Sequence, residues 1–155
     1  MTISTADLWD ERGERLSSLA ALWRDFGAQR RFAGPARTVR CREDNVVLAG
    51  LLETFGHGAV LVVDGDGSLN CALMGDRIAG LAVSNGWAGV IINGAVRDSV
   101  ALAALPLGIK ALGTNPRKSG KGGVGDIDVE VTIGGAVIRP GAMVTADEDG
   151  VVVER

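Results

Sequence analysis

Three mainly apolar runs, each the length of a buried strand, alternate with helix-like segments in the middle of this sequence. The runs cover residues 59–64, 89–92 and 109–112. Strands that are buried on both faces of a parallel sheet are apolar throughout rather than alternating. One helix is predicted from about 75 to 85, and another from 98 or 99 to 105. The pattern therefore predicts a β-α-β-α-β unit built around a parallel sheet.

The pattern changes after residue 125. Residues 129–133 alternate between apolar and polar side chains, and Gly134-Gly135, Pro140-Gly141 and Asp149-Gly150 each mark a tight turn between short apolar segments. Alternation broken by such turns is typical of antiparallel hairpins. We therefore expect one α/β domain over residues 1–155, layered β/β/α, with a central parallel βαβ unit and an antiparallel C-terminal part.

The remaining segments carry weaker local signals. A capping box at the N-terminus predicts a helix over residues 4–13, and a second short helix is predicted at 17–26. Residues 32–41 are expected to form a strand, and Asp44-Asn45 can cap a helix over residues 46–52. Residues 113–125 show no periodicity and contain several glycines, which indicates a mobile loop.

Composition excludes several classes of function. The 155 residues carry a net charge of −3 and no tyrosine, which argues against direct nucleic-acid binding. No stretch approaches the ~18 apolar residues of a membrane span. The N-terminus has no signal-peptide pattern, so a cytoplasmic location is expected. Cys41 and Cys71 match no metal-ligand spacing, and we interpret them as reduced thiols.

Two charged segments are predicted to meet at one edge of the sheet. Twenty residues lie between Asp76 and Arg97. The predicted helix descends ~15 Å from Gly75, and the following strand climbs ~20 Å back. Arg97 and Asp98 should therefore return to the level of the helix N-terminus. In open parallel sheets, ligands bind at this carboxyl end of the strands.

The residue types at this edge suit an anion beside a metal ion. Backbone N–H groups of Gly75, Asp76, Arg77 and Ile78 can receive a carboxylate at the helix N-terminus. The planar guanidinium of Arg97 suits a carboxylate or an enolate oxygen. Carboxylates of Asp76 and Asp98 are hard ligands for Mg²⁺. From spacing alone, the alternative stays open that Arg97 and Asp98 form a surface ion pair and that Asp76 only complements the helix dipole.

A family resemblance joins these segments. Residues 62–68, Gly75-Asp76, residues 86–89, residues 94–98, residues 109–119 and residues 140–150 resemble the family called regulator of ribonuclease activity A, which includes the 4-hydroxy-4-methyl-2-oxoglutarate aldolases. The resemblance covers nearly the whole chain. It implies a swivelling β/β/α domain, a homotrimer and a site between subunits.

The resemblance also assigns roles to the candidate residues. It implies that residues 75–78 (Gly75, Asp76, Arg77 and Ile78) and Arg97 bind the pyruvoyl part of a 2-oxo acid. Asp98 would hold a divalent cation, Mg²⁺ or Mn²⁺, and Asp76 would orient a water on it, which makes Arg97 and Asp76 the catalytic candidates. The implied activity is metal-dependent cleavage of 4-hydroxy-4-methyl-2-oxoglutarate-type acids to pyruvate, with decarboxylation of oxaloacetate through the same enolate.

The family offers a second function. Some members bind and inhibit an RNA-processing endoribonuclease without catalysis, and these tend to lack the Arg-Asp pair that Arg97 and Asp98 supply here. Some aldolase members take an acidic group from a C-terminal extension of the neighbouring subunit. The sequence stops at Arg155, so we expect that group to be missing. Some relatives carry methyltransferase names, but the sequence has no nucleotide-binding glycine signature.

Three other features are given simpler interpretations. Lys110 is the main candidate for a Schiff-base aldolase, but it lies inside a predicted strand. His57 stands between two glycines ahead of a strand and is interpreted as a turn residue. Residues 115–123 resemble a phosphate loop but lack its GxxxxGK[ST] order, so we interpret them as a solvated loop that closes over the site or contacts a neighbouring subunit.

Overall fold

The computed structural model describes residues 3–155. Its helices are α1 (Thr5–Arg12), α2 (Val46–Leu52), α3 (Asp76–Ser84) and α4 (Ser99–Leu102), with a 3₁₀ turn at Gly13–Arg15. Its strands are β1 (Leu16–Ser18), β2 (Arg24–Asp25), β3 (Phe32–Arg40), β4 (Val60–Asp64), β5 (Ala72–Met74), β6 (Gly89–Val96), β7 (Gly108–Thr114), β8 (Asp126–Ile127), β9 (Val131–Ile133), β10 (Ala136–Ile138), β11 (Met143–Asp147) and β12 (Gly150–Glu154).

The predicted parallel unit is confirmed. Strands β3, β4, β6 and β7 lie side by side and pair in parallel. β4 is buried over its first four residues, and the first four residues of β6 are buried as well. Helix α3 connects β5 to β6, and α4 connects β6 to β7. The continuous apolar runs are therefore strands covered on both faces, as the sequence indicates.

Strand β3 belongs to both parts of the sheet. Its first half pairs antiparallel with β11, from Phe32 opposite Ala146 to Pro35 opposite Met143. Its second half pairs in parallel with β4, beginning with Ala36 opposite Val60. The antiparallel strands continue outward through β12 to β1, while β9 and β10 form a separate hairpin.

The two larger hydrophobic cores separate three layers, which confirms the β/β/α architecture. One core packs α2, α3 and α4 against one face of the parallel strands, with Leu48, Ala79 and Leu102 among its buried residues. The other core lies between the opposite face of those strands and the C-terminal strands, and it includes Phe32 and Ile138. Successive strand residues point to opposite faces, so the parallel sheet supplies side chains to both cores.

The Phe32 ring is set into the second core by two glycines. A Cβ at Gly89 would lie 2.3 Å from the ring, and one at Gly108 would lie 2.1 Å from it. Both glycines are the first residues of their strands, β6 and β7. Their missing side chains leave the space that an aromatic ring fills between the layers.

Some local predictions are wrong. The helix expected at residues 17–26 does not form. The segment instead supplies β1, which pairs with β12, and β2, which pairs with β7. The backbone groups of this segment form hydrogen bonds with the free edges of β12 and β7. This pairing between distant parts of the chain overrides a weak local helix signal. Helix α4 ends at Leu102, earlier than the predicted residue 105. Short strand β5 lies in a segment for which no strand was predicted.

None of the helices formed by residues 3–155 combines the length and the apolar character needed to cross a lipid bilayer.

Candidate functional site

Strands β5 and β6 bring the two charged segments together. β5 leads directly into α3 through Gly75, and β6 ends at Val96, one residue before Arg97. The backbone N–H of Arg97 donates to the carbonyl of Met74 at 3.0 Å. Arg97 and Asp98 therefore lie at the N-terminus of α3, at the level that the helix and strand lengths predict.

The N-terminus of α3 is capped from outside the helix. The Asp76 N–H donates to Oδ2 of Asp98 at 3.0 Å. Gly75, at the N-cap position, has no side chain to do this. A Cβ on Gly75 would lie 2.5 Å from Oδ2 of Asp98 and 3.2 Å from Cγ of Arg97. Position 75 therefore requires glycine because the Arg97 and Asp98 side chains occupy the space of a Cβ. The approach of a ligand is not needed to explain it.

Asp98 adopts a left-handed backbone conformation, with φ 60° and ψ 41°. Residues other than glycine rarely adopt it, although Asp tolerates it better than most. The conformation turns the chain sharply from the end of β6 into α4. Such strained positions persist where the surrounding structure holds them, and they concentrate at functional sites.

The predicted residues share one cavity of about 60 Å³. This is the room of a few water molecules, and it suits a small metabolite rather than a drug-sized ligand. All six candidates from the sequence line it, and the structure adds six more residues: Gly75, Asp76, Arg77, Ile78, Arg97 and Asp98, together with Asn45, Ala72, Met74, Lys118, Ser119 and Lys121.

The added basic residues lie on the glycine-rich loop that follows β7. Hydrogen bonds that involve the backbone of this loop hold it along the cavity. Nη1 of Arg97 donates to the carbonyl of Pro116 at 3.4 Å. The other contacts, all between backbone groups, are Asn115 N–H to Val96 O at 3.1 Å, Ala72 N–H to Arg117 O at 2.8 Å and Gly120 N–H to Glu43 O at 2.8 Å. The loop is therefore a wall of the site, where the sequence suggested a solvated segment that closes over it.

Asn45 connects this loop to the core of the site. It is buried, and its side-chain amide donates to the carbonyl of Leu73 at 3.0 Å. Its Oδ1 accepts a hydrogen bond from Nζ of Lys121 at 2.6 Å. The sequence shows Asn45 only as a helix cap, and no spacing rule links it to Lys121, which lies 76 positions later.

Two carboxylates precede Asn45, and that of Asp44 anchors the loop. Burial raises the pKa of Asp44, but hydrogen bonds from the backbone of Val46, Val124, Gly123 and Gly122 outweigh it, so the pKa is lowered overall. Hydrogen bonds from Ser68 and Asn70 lower the pKa of Glu43. Both groups are held in the charged form by their donors. Asp44 thereby fixes the loop at residues 122–124, and Glu43 fixes the segment at residues 68–70.

The carboxylates at the cavity fit a hydrated divalent cation. Asp76 and Asp98 are exposed and present hard oxygen ligands at one edge. Within residues 3–155, no group of three or more His, Cys, Asp or Glu side chains forms a metal cage. Mg²⁺ keeps several waters and binds proteins through one or two carboxylates plus substrate, so two carboxylates are a sufficient donor set.

Lys110 and His57 lie outside this cavity. Lys110 is buried near the start of β7, where its Nζ lies 3.0 Å from Oδ1 of Asp25 on β2. His57 is exposed in the turn before β4, with φ 53°. The carboxyl end of β7 lies about 13 Å beyond Lys110, at 3.3 Å per residue. The position of Lys110 therefore gives no support to a Schiff-base site.

Comparison with known proteins places the chain in a family. The family described as RraA-like (Aldolase/RraA) matches residues 3–153. The chain belongs to this family, and the resemblance stated from the sequence is confirmed.

Three solved structures share the fold. A protein of Geobacillus kaustophilus HTA426, described as an S-adenosylmethionine:2-dimethylmenaquinone methyltransferase, is 48% identical, with a TM-score of 0.96 over 98% of this chain and 94% of its own. The RNA-processing inhibitor RraA from Thermus thermophilis is 44% identical, with a TM-score of 0.96 over 99% and 93%. Streptomyces coelicolor RraAS2, described as an unusual member of the RNase ES inhibitor RraA family, is 32% identical, with a TM-score of 0.80 over 97% and 79%.

Proposed function

We propose that this protein is a divalent-metal-dependent aldolase that cleaves 4-hydroxy-4-methyl-2-oxoglutarate-type acids to pyruvate, and that it also decarboxylates oxaloacetate. The observation that carries the proposal is the shared cavity, in which Arg97, Asp98 and the N-terminus of α3 meet. The Aldolase/RraA family supports this reaction class.

The helix N-terminus is suited to hold the 1-carboxylate of the substrate. The first turn of an α-helix leaves its N–H groups without intrahelical partners, and the helix dipole favours an anion there. Asp98 already accepts from the Asp76 N–H. The substrate carboxylate is therefore proposed to bind the neighbouring amides of Gly75, Arg77 and Ile78.

Asp98 is proposed to hold the divalent cation, with Asp76 beside it. When bound, Mg²⁺ or Mn²⁺ supplies Lewis acidity toward the 2-oxo group. The Arg97 guanidinium adds fixed positive charge where the enolate oxygen develops, which is electrostatic preorganisation. Its contact with the Pro116 carbonyl holds it toward the cavity.

The cleavage step balances without a redox partner. The C4 hydroxyl loses its proton, the C3–C4 bond breaks, and the bonding pair becomes the enolate of pyruvate. Asp76 is proposed to orient the water that carries this proton, and C3 of the enolate is then protonated to give pyruvate. Loss of CO₂ from oxaloacetate leaves the same enolate, so both activities use one set of residues.

Pyruvate release tests the proposal. Wild-type protein with Mg²⁺ or Mn²⁺ should release pyruvate from 4-hydroxy-4-methyl-2-oxoglutarate and from oxaloacetate, and EDTA should abolish both activities reversibly. Arg97→Ala and Asp98→Ala should each lower kcat by about 10²- to 10³-fold. Equal background rates for the wild type and both variants would exclude the enzyme, and activity that persists in EDTA would exclude the metal.

A homotrimer with sites between subunits forms part of the same proposal. Several large apolar side chains are exposed on the chain, with Val100 89% and Phe55 72% exposed. Val100 follows Asp98 by two residues, so a neighbouring subunit that covers it would also border the site. Analytical ultracentrifugation of wild type and Val100→Glu tests this: the wild type should sediment as a trimer and the variant as a smaller species. A monomeric wild type would contradict it.

Inhibition of an RNA-processing endoribonuclease is the second candidate function. It is favoured by the 44% identity to the RNA-processing inhibitor RraA of Thermus thermophilis. An RNA-cleavage assay with a purified endoribonuclease, together with a pull-down, distinguishes the two. Inhibition that survives Arg97→Ala, without pyruvate release by the wild type, would establish this function in place of the aldolase.

A further inference from the structure

Ser119 presents a buried hydroxyl without a partner. The residue is 5% exposed and lines the cavity, yet its Oγ has no hydrogen bond within residues 3–155. Buried polar side chains nearly always find a partner, because a hydroxyl removed from water is otherwise unfavourable. This hydroxyl is therefore a donor held ready for a group that enters the cavity.

Two lysines flank Ser119 on the same loop. Lys118 and Lys121 both line the cavity, and neither forms a salt bridge with an acidic side chain of residues 3–155. Nζ of Lys121 is fixed by its bond to Oδ1 of Asn45. An ammonium group has three donors, so this bond leaves two for an incoming anion.

The cavity thus has two sets of cationic groups in a chain of net negative charge. Arg97 and the first turn of α3 supply one set, and the loop with Lys118, Ser119 and Lys121 supplies the other. Four basic side chains line the space against two acidic ones, although the whole chain carries a net charge of −3. A 2-oxo acid with one carboxylate needs only one of these two sets.

We propose that Ser119 and Lys121 bind the second carboxylate of a dicarboxylic 2-oxo acid and so determine substrate specificity. The proposal rests on the function proposed above, because it assumes that the first carboxylate lies at α3. Ser119 Oγ donates one hydrogen bond to the distal carboxylate. Lys121 supplies its charge, and Asn45 positions Lys121. A site built to pair a substrate group discriminates strongly against analogues that lack it.

Binding measurements test this without depending on turnover. Isothermal titration calorimetry with Mg²⁺ compares 2-oxoglutarate, which has two carboxylates, with pyruvate, which has one. The variants are Ser119→Ala, which removes no hydrogen bond recorded within residues 3–155, and Lys121→Met. Arg117→Met is the matched control, because Arg117 lies on the same loop and its side chain does not line the cavity.

Wild type and Arg117→Met should bind 2-oxoglutarate more tightly than pyruvate. Ser119→Ala and Lys121→Met should raise the Kd for 2-oxoglutarate by about tenfold or more and change the Kd for pyruvate by less than about twofold. Equal affinity of the wild type for the two acids, parallel loss of both in the variants, or binding of neither would overturn the assignment.

Kinetics then separates the two proposals. With 4-hydroxy-4-methyl-2-oxoglutarate, both variants should raise KM, whereas cleavage of the monocarboxylic 4-hydroxy-2-oxopentanoate should be nearly unchanged. A dicarboxylate preference that is lost in the variants, in a protein that releases no pyruvate, would uphold the second-carboxylate site and reject the aldolase. Pyruvate release with no such preference would do the reverse.

Discussion

Polar groups are treated in opposite ways at two places in this molecule. Away from the cavity, Nζ of Lys110 forms a salt bridge with Asp25 at 3.0 Å, although Oδ1 of Asp25 accepts no hydrogen bond within residues 3–155. Asp147 accepts from both the N–H and the hydroxyl of Thr5 at 2.7 Å. At the carboxyl end of the parallel strands, Ser119 has no partner within residues 3–155. The ion pair and the Asp147 hydrogen bonds hold the fold together, whereas the Ser119 hydroxyl is available to a ligand.

The largest effect on stability is expected at the salt bridge between Lys110 and Asp25. Lys110→Met should cost about 3–5 kcal/mol in free energy of unfolding, because the Asp25 carboxylate stays largely buried without its partner. Urea denaturation measures this loss. Lys110→Met/Asp25→Leu should recover most of it, since an apolar pair replaces the ion pair. Folded Lys110→Met should keep the kcat of the proposed aldolase reaction, and a lost kcat would place Lys110 in the chemistry.

Gly75→Ala should lower activity at the candidate site with little effect on the fold. The new Cβ would displace the Asp98 carboxylate, which lies 2.5 Å from its position, and we expect kcat to fall about 10- to 100-fold. Gly80→Ala is the control in the same helix, where a Cβ would meet nothing within 4 Å. It should stabilise the protein by about 0.5–1 kcal/mol and keep full activity. Similar kcat losses in both variants would show that the Asp98 contact does not matter.

Thr5→Val should reduce the stability of the protein in a way that depends on pH. Burial raises the pKa of Asp147, but the Thr5 and Asp149 donors and the charge of Lys110 outweigh it, so its folded pKa is below the ordinary 3.8. A lowered folded pKa stabilises the protein above pH 3.8, and this contribution is lost as pH falls through the folded value.

Because Thr5→Val removes the hydroxyl donor, it should cost about 1 kcal/mol at pH 7 and less near pH 2. Thermal unfolding between pH 2 and pH 7 measures both. A pH-independent cost would mean that the hydroxyl does not act through the Asp147 charge.

The sequence predicts those parts of the site that depend on helix and strand lengths. Apolar runs fix β4, β6 and β7, and the lengths of α3 and β6 bring Arg97 and Asp98 back to Gly75. The loop was not predicted in the same detail. Its position depends on backbone bonds to Ala72 and Glu43, partners far away in the chain that carry no spacing signal. The residues missed in the sequence, Asn45, Ser119 and Lys121, all depend on that loop.

Strand β3 has a consequence for how the chain folds. Its first residues pair with β11, more than 100 positions later, while its last residues pair with the nearby β4. Contacts between distant parts of a chain require long loops to close, and they slow folding. The parallel half of the sheet can form early, but the backbone groups in the first half of β3 remain unpaired until β11 forms hydrogen bonds with them. Refolding should therefore be slow, and a chain that lacks β11 would expose an unpaired edge prone to aggregation.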